Sequence, residues 1–323
     1  MRGLKYIFLM SFFSLFTLVY GANVQQQKKL IYIASDTSIP FWQIMSRGVV
    51  SSSTQLGYQI EVASPNNDIK KELEIVATAI KDKVSGIIIS PTTSSACVTI
   101  LKLAKAAKIP VVIADIGTDS GEYVSYISSD NKTGAYEIGK VLVKKMKSLG
   151  LEKGSVGIIS IPQKRINGQL RTEGFMKALK ESNIKSADLK QQVTFSYQET
   201  YNYTKEMIEK FPSLKAIWLQ GSDKYKGALD AIEKSGKKGK ILLVVFDAEP
   251  EFLDLIPQGV IVGAAMQQPY LMGQEAVVSM DKYLKNKKVV KNIQMPILAI
   301  SKENIKQQLP TIKQNVLGLV STK

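Results

Sequence analysis

The sequence predicts an α/β protein made of two doubly wound parallel-sheet lobes. Three observations indicate this class: apolar runs of mostly four to six residues, amphipathic segments of ten to twenty residues between them, and about ten repeats of the alternation. Short runs that are apolar throughout are typical of strands buried on both faces of a parallel sheet. Ten strands exceed what one such sheet usually carries, so we expect the 323 residues to form two lobes with a break near 128–131.

The predicted strands are short and rich in β-branched residues. They span Leu30–Ala34, Gln59–Ala63, Gly86–Ser90, Val111–Ala114, Val124–Ser128, Val156–Ser160, Gln192–Phe195, Ala216–Leu219, Leu242–Phe246 and Val260–Ala265. The clearest helical segments are Phe41–Gln55, Ile69–Lys83, Thr93–Ala107, Gly134–Leu149 and Gly168–Ser182. Pro40 before the first helix and Gly57 after it are sensible boundaries, because proline favours the first helical turn and glycine often follows a helix end.

The amino terminus has the organisation of a secretory signal peptide. Arg2 and Lys5 precede the uncharged stretch 6–19, and small residues follow at Gly21 and Ala22. The apolar run is shorter than the roughly twenty residues that a membrane span needs. We therefore assign 1–21 to a cleaved signal peptide and expect a periplasmic protein that is not lipidated, since no cysteine stands at the exit. An uncleaved membrane anchor is the alternative.

Composition excludes several classes of protein. The chain has no histidine and one cysteine, Cys97, which rules out Ser-His-Asp and Cys-His nucleophiles, disulfide scaffolds and cysteine-based zinc sites. The formal charge of +15 is compatible with nucleic acid or anionic lipid as a partner. However, the lysines are scattered over predicted helices without interleaved aromatics. We interpret them as a solvated surface and expect no nucleic acid, metal or cofactor.

Polar and aromatic side chains follow most of the predicted strands. Ligands bind at the carboxyl ends of strands in doubly wound sheets, so these residues are candidates for a binding site. They are Asp36, Phe41, Trp42, Ser90, Asp115, Arg171, Gln220, Ser222, Asp223, Asp247 and Gln267. Carboxylates and a guanidinium hydrogen-bond hydroxyls while aromatic faces cover C–H patches, which suits a polyhydroxylated small molecule. The alternatives are helix N-caps for the aspartates and core packing for Phe41 and Trp42.

Ordered motifs along residues 28–299 resemble one known family. They are Ile39-Pro40-Phe41-Trp42, Gly57-Tyr58, Gly86-Ile87-Ile88-Ile89-Ser90-Pro91-Thr92, Ile109-Pro110-Val111-Val112-Ile113-Ala114-Asp115, Ser129-Asp130-Asn131, Arg171-Thr172-Glu173-Gly174-Phe175, Gly227-Ala228-Leu229, Phe246-Asp247 and Gln267-Gln268-Pro269. In this order they are similar to periplasmic sugar-binding proteins of the ribose- and galactose-binding type, whose fold the ligand-binding part of lactose-type repressors shares. The resemblance implies two lobes, 22–129 with 268–296 and 130–267 with 297–323, joined by a three-stranded hinge that closes over a sugar.

The resemblance also implies roles for individual residues. Side chains that stack on the sugar ring are matched by Phe41, Trp42 and Phe195. Side chains that hydrogen-bond its oxygens are matched by Asp115, Arg171, Asp247 and Gln267. Together with Ser90, Ser222 and Asp223 at the strand ends, they make up the ligand site that we predict.

Three polar contacts of the family pattern are absent or displaced. Ile39 stands where the family has asparagine, Ile116 where it has arginine, and Gly221-Ser222 where it has Asn-Asp, with Asp223 one step further on. A ribose pocket of this composition would leave hydroxyls unpaired, at roughly 1–3 kcal/mol each. We therefore expect a ligand other than ribose: a deoxy or cyclised sugar, a polyol or a furanosyl signal.

Three functions stand as hypotheses. The first is an exported, monomeric binding protein that closes on a small sugar-like ligand and delivers it to the membrane permease of an ABC-type importer. The second is a ligand-loaded sensor subunit that docks on a membrane histidine kinase or chemoreceptor, which the altered pocket and the Lys- and Gln-rich tail 301–323 favour. The third is an enzyme with Asp115 and Asp247 as an acid–base pair. Since the family is not catalytic, we expect no enzyme activity.

Overall fold

The computed structural model describes residues 28–319 and places them in two lobes, each with one six-stranded sheet. The strands are β1 (Lys29–Ile33), β2 (Gln59–Ala63), β3 (Gly86–Ile89), β4 (Val111–Ala114), β5 (Ser125–Ser129), β6 (Ser155–Ser160), β7 (Lys185–Gln191), β8 (Leu214–Leu219), β9 (Leu242–Phe246), β10 (Gly263–Met266), β11 (Asn292–Met295) and β12 (Leu298–Ser301). The sheet orders are β11-β5-β4-β3-β1-β2 and β12-β10-β9-β8-β6-β7. Among these strands only β12 is antiparallel to its neighbour, β10. The two-lobed α/β class is confirmed.

Helices cover both faces of each sheet. They are α1 (Pro40–Gln55), α2 (Ile69–Lys81), α3 (Ser94–Ala106), α4 (Asn131–Ser148), α5 (Ile166–Glu181), α6 (Tyr197–Lys210), α7 (Tyr225–Lys234), α8 (Phe252–Leu255), α9 (Pro269–Leu284) and α10 (Ile305–Thr311), which continues into a π-helical turn at Ile312–Val316. In the first lobe α1 packs on α9, and in the second α4 packs on α5.

Alternate residues of the central strands enter different cores, which explains why these strands are apolar at most positions. In β1, Leu30 and Tyr32 pack into the core that α1 and α9 cover. Ile31 and Ile33 pack into the core under α2 and α3 on the opposite face. All four side chains are at most 2% exposed. Each burial of this kind stabilises the fold by about 1.5–3 kcal/mol.

Within the described residues the chain passes between the two sheets three times. The crossings are Ser129–Asn131, Met266–Pro269 and Met295–Leu298. Two of them are joined directly, because the Gln268 side-chain amide donates to the carbonyl of Pro296 at 2.8 Å. Together the three crossings form the hinge segment that joins the two lobes.

The strand predicted at Gln192–Phe195 is wrong. β7 lies at Lys185–Gln191 instead, and Phe195 follows it in a loop with a φ of 51°. β7 is an edge strand and most of its residues are exposed or half-buried, so it lacks the apolar run that marks a central strand. The same reason explains why β11 and β12, short strands at the sheet edges, are not among the predicted strands.

The tail after β12 packs back onto the hinge. Ile312–Val316 and the residue that follows, Leu317, lie against α1 and α9 of the first lobe. The Arg47 guanidinium donates to the Leu317 carbonyl at 2.7 Å. The Asn315 amide donates to the side-chain oxygen of Gln268 at 2.9 Å. The tail therefore contacts the second crossing as well as the first lobe.

Two expectations concern membranes and the lone cysteine. The predicted signal peptide, 1–21, lies outside the described residues. Across 28–319, no helix is long and apolar enough to cross a membrane. Cys97 is fully buried in α3, as expected.

We expect Phe175→Ala to lower the free energy of unfolding by about 3–5 kcal/mol. The Phe175 ring stacks on Trp218 with centroids 3.8 Å apart, and both side chains are fully buried, so truncation leaves a cavity between α5 and β8. Phe211→Ala, which removes a half-buried ring after α6, should cost clearly less. Urea unfolding followed by circular dichroism measures both, and equal losses would contradict the central place of the Phe175–Trp218 stack.

Candidate ligand-binding site

The carboxyl ends of the central strands in both sheets meet at a cleft between the lobes. The cleft contains an inner chamber of about 50 Å³ and an outer chamber of about 420 Å³. Eight of the ten predicted site residues line the inner chamber, together with Arg165 and Asn167, which the sequence analysis does not single out. The eight are Phe41, Trp42, Asp115, Arg171, Phe195, Asp223, Asp247 and Gln267.

Asp115 and Asp247 occupy equivalent positions in the two lobes. Asp115 follows β4 and Asp247 follows β9, and their φ angles are 64° and 69°. Their amides remain in the sheets and donate to the carbonyls of Ile127 at 2.9 Å and Ala265 at 2.8 Å. Positive φ is uncommon for a residue with a side chain, although aspartate tolerates it better than most. Neither residue is a helix N-cap, so both carboxylates are available to the chamber.

Arg171 connects three separate parts of the second lobe. Its guanidinium, 3% exposed, donates to Asn131 Oδ1 at 2.8 Å and to the Gln220 carbonyl at 2.7 Å. It lies 3.7 Å from Asp247 Oδ2 and stacks on the Phe246 ring at 3.8 Å. Burial lowers the pKa of Arg171, and the Asp247 carboxylate opposes that shift. The cation is therefore held in one orientation by neutral and charged partners together.

Three buried acceptor atoms in the chamber wall have no hydrogen-bond partner among the described residues, and Asp223 Oδ2 is one of them but has an ion pair with Lys224 at 3.1 Å. The other two, Asp115 Oδ1 and Gln267 Oε1, have neither kind of partner. The other atoms of these groups are engaged. Asn167 Nδ2 donates to Asp115 Oδ2 at 3.4 Å, and Gln267 Nε2 donates to Asp247 Oδ1 at 2.5 Å. Burial raises the pKa of Asp115 to about 6, against the influence of the nearby Arg171, so the carboxylate form still prevails at neutral pH. A buried acceptor left unpaired costs about 1–3 kcal/mol, which a donor on a ligand can recover.

Aromatic side chains cover the remaining walls. Phe41 and Trp42 meet edge to face, with centroids 4.8 Å apart and planes at 88°. Trp42 is 5% exposed and belongs to the core of the first lobe as well as to the chamber, so the core-packing and binding interpretations both apply to it. On the opposite side, the Glu199 carboxylate accepts from the amide of Phe195 at 2.9 Å and fixes the loop that carries this ring.

Arg165 links the two lobes across the cleft. It precedes α5 in the second lobe, and its Nη2 donates to Asn67 Oδ1 of the first lobe at 2.9 Å. Its Nε donates to the Thr92 carbonyl of the first lobe at 3.3 Å. The guanidinium also lies 5.7 Å from the centre of the Phe195 ring. Arg165 and Asn167 could have been predicted from the sequence, because both follow β6 and ligands bind at the carboxyl ends of strands in doubly wound sheets.

Glu72, on α2 beneath the Thr92 loop, is a third residue that was not predicted from the sequence. Its side chain is fully buried, and Oε1 accepts from the Thr92 amide at 2.7 Å. Burial raises the pKa of Glu72 to about 7, although that amide and the Arg165 charge both favour the ionised form. Glu72 thus supports the loop to which Arg165 bonds.

Two predicted site residues do not line either chamber. Ser90 is fully buried and pairs with the Tyr32 hydroxyl at 3.0 Å. Ser222 donates to Glu249 Oε1 at 2.8 Å. The isoleucine that replaces a family arginine, Ile116, is also fully buried in the first lobe's core, whereas Ile39 lines both chambers.

The inner chamber combines charged and aromatic groups that suit a polar ligand. It presents two guanidinium groups and three carboxylates, and no serine, threonine, cysteine or lysine lines it. Within residues 28–319, no group of three or more Cys, Asp, Glu or His side chains is placed to hold a metal ion. Two lobes and a cleft lined by polar strand ends and aromatic rings are the arrangement of a ligand-binding protein.

The chain belongs to the periplasmic binding protein domain family, which it matches over residues 30–288. It is 28% identical to the ribose import binding protein of Haemophilus influenzae, over 88% of this chain and 95% of that protein. It is 27% identical to a D-apiose import binding protein of Actinobacillus succinogenes, over 76% and 78% of the two chains. Its fold is similar to a carbohydrate transporter solute-binding protein from Agrobacterium radiobacter solved with D-arabinose, with TM-score 0.83, 23% identity, and 90% and 99% of the chains covered.

Family membership confirms the resemblance predicted from the ordered motifs. Proteins of this family bind a solute and hand it on, so the chain is a binding protein and not an enzyme. Because the family is not catalytic, Asp115 and Asp247 are not an acid–base pair. Both carboxylates remain candidates for ligand contacts.

We expect the unliganded protein to become more stable as the pH falls from about 7.5 to about 5.5, and Glu72→Gln to reduce that gain by about 1–2 kcal/mol. The folded state raises the pKa of Glu72 from 4.5 to about 7, so between these values it binds the proton more tightly than the unfolded chain does. Stability from this group is therefore lost as the pH rises. Thermal unfolding at both pH values measures the effect. Glu74→Gln, an exposed glutamate on the same helix, is the control and should leave the pH dependence unchanged.

Proposed function

We propose that this protein is an exported solute-binding protein that closes on a small sugar or sugar-like molecule and delivers it to an ABC-type importer. The observation that carries the proposal is the pair of unpartnered acceptors in the chamber wall, Asp115 Oδ1 and Gln267 Oε1, beside the fixed guanidinium of Arg171. Acceptors buried next to a donor match the hydroxyl groups of a sugar, each of which both donates and accepts. Relatives that import ribose and D-apiose support the same class of ligand.

The rest of the chamber favours a ligand with one polar edge and one apolar face. Phe41, Trp42 and Phe195 supply aromatic surface for ring C–H groups, and Ile39 supplies an aliphatic side chain where the family pattern has asparagine. With Ile116 buried in the core, two polar contacts expected for ribose are replaced by hydrocarbon. We therefore propose a sugar-like ligand with fewer or differently placed hydroxyls than ribose.

Binding requires the lobes to move. The inner chamber of about 50 Å³ holds about four water molecules, which is less room than a sugar ring needs. The lobes must separate for a ligand to enter, and the bonds from Arg165 to Asn67 and Thr92 must break and re-form. We propose that these bonds stabilise the closed arrangement of the lobes while the inner chamber is empty.

A thermal-unfolding screen against pentoses, hexoses, deoxysugars and polyols tests the proposal. A ligand at about one hundred times its dissociation constant adds about 2.7 kcal/mol of stability and raises the melting temperature visibly. A hit followed by calorimetric titration gives the dissociation constant. If no sugar or polyol binds the pure protein, the proposal is wrong.

We expect Asp115→Ala and Arg171→Ala each to weaken binding of the sugar found in the screen by about tenfold or more, because each removes a charge-assisted hydrogen bond worth about 1.5–3 kcal/mol. Isothermal titration calorimetry measures the dissociation constants, with circular dichroism as the check on folding. Asp254→Ala, on an exposed residue of α8, is the matched control and should bind as the wild type does. Normal binding by a folded Asp115→Ala protein would contradict the site assignment.

The partner is tested with membranes from the source cell. Ligand-loaded protein immobilised on beads should retain the permease of an ABC-type importer more strongly than the unloaded protein does, with mass spectrometry identifying what is retained. Retention of a histidine kinase or chemoreceptor without a permease would contradict delivery to an importer and favour the sensor role.

A further inference from the structure

The outer chamber adjoins the inner one and shares three of its residues, Ile39, Arg165 and Phe195. At about 420 Å³ it falls within the roughly 300–1,000 Å³ that is usual for ligand pockets. Both lobes line it, at the ends of strands β1 to β3 and β6 to β8. A molecule that begins in the inner chamber can therefore extend into the outer one without leaving the protein.

Arg165 is a buried cation without an ion-pair partner. Its side chain is 9% exposed, yet across the described residues no carboxylate oxygen lies within 4.0 Å of its guanidinium nitrogens. Its two hydrogen bonds go to neutral oxygens, of Thr92 and Asn67. Arg171, by contrast, has Asp247 at 3.7 Å. A buried charge is costly unless it is paired, and no carboxylate is in direct contact with Arg165.

The acidic groups nearest to Arg165 are directed elsewhere. No carboxylate oxygen of Asp115, Glu72 or Asp36 lies within 4.0 Å of the Arg165 guanidinium nitrogens. Glu72 accepts a backbone amide at 2.7 Å, and Asp36 Oδ2 accepts from the Asn67 amide at 2.8 Å. Asp115 faces the inner chamber. None of the three provides the close contact that a guanidinium makes with a carboxylate or phosphate.

Positive groups outnumber the carboxylate that lines the outer chamber, Asp36, whose oxygens accept from Ser38 and Asn67. Lys164 lines it and is exposed. Lys224 also lines it, but its charge is matched by Asp223 at 3.1 Å. Thr92 is 4% exposed, and its hydroxyl has no hydrogen-bond partner within residues 28–319. A guanidinium, an ammonium and an unpaired hydroxyl thus line one chamber, and each is a donor group that suits an anion.

We propose that the outer chamber is a subsite for an anionic substituent, a carboxylate or a phosphate, on a sugar whose ring lies in the inner chamber. The inference rests on the proposed function, because it takes the inner chamber as the sugar site. Arg165 holds the anion and bridges the lobes, with Lys164 adding to the local positive charge. The natural ligand is then a sugar acid or a sugar phosphate, and closure of the lobes is coupled to neutralisation of Arg165.

Titration calorimetry with matched sets of sugars tests the inference. The probes are D-glucose, D-glucuronate and D-glucose 6-phosphate, the corresponding galactose set, and D-ribose with D-ribose 5-phosphate. At least one acidic sugar should bind about tenfold or more tightly than its neutral parent. Preference for the uronates or for the phosphates identifies which anion the subsite takes.

Variants connect the preference to Arg165. The readout is the ratio of the dissociation constants for the neutral and acidic members of a set, which cancels a general loss of affinity. Arg165→Gln should bring this ratio to about one, and Arg165→Lys should keep part of it because the charge remains. Lys240→Gln, an exposed lysine just before β9 and outside both chambers, is the control and should keep the full ratio.

The outcomes separate this inference from the proposed function. Neutral sugars that bind as tightly as their acidic counterparts would overturn the anionic subsite and leave sugar binding intact. A folded Arg165→Gln protein that keeps the preference for acidic sugars would overturn the role of Arg165. Binding of neither neutral nor acidic sugars would overturn the proposed function and the inference together.

Discussion

The buried guanidinium of Arg171 is the constraint on which the binding site depends. A charge this deep in the protein is stable only with complete hydrogen bonding and a nearby counter-ion, and its partners come from three places: Asn131 at the first crossing, the Gln220 carbonyl after β8, and Asp247 after β9. The hydrogen bonds and the ion pair of this one cation therefore position the hinge and two strand ends of the second lobe together. The floor of the inner chamber is fixed before any ligand arrives.

The two lobes contribute differently to the cleft. Asp115 and Asp247 occupy equivalent positions with similar backbone angles, but Asp247 is engaged by Gln267 and lies near Arg171, whereas Asp115 keeps one oxygen unpaired. The bonds that cross the cleft have one direction: Arg165 and Asn167 of the second lobe donate to oxygens of the first. Across the cleft, donors of one lobe thus meet acceptors of the other, and a hydroxylated ligand can take part in both sets.

Much of the fold and part of the site could be predicted from local patterns. Central strands such as β1 are apolar at most positions because both of their faces are buried, so they can be recognised in the sequence. The edge strand β7 has no such pattern, and the strand predicted at Gln192–Phe195 begins only after β7 has ended. The rule that ligands bind at the carboxyl ends of strands selected Asp115 and Asp247, which line one chamber. It also selected Ser90, whose partner Tyr32 could not be inferred because the pairing joins residues of neighbouring strands.

The sequence by itself determined the alternation of strands and helices, the two lobes and the family, because burial on both faces of a sheet imposes composition on each strand and because motif order survives at modest identity. Only the tertiary structure decided which buried polar atoms have no hydrogen-bond or ion-pair partner. Whether Arg165 meets a carboxylate, or Asp115 keeps an unpaired oxygen, depends on distances between residues far apart in the chain. Those distances are set by how the lobes meet, and electrostatic and hydrogen-bond energies change within an ångström of separation.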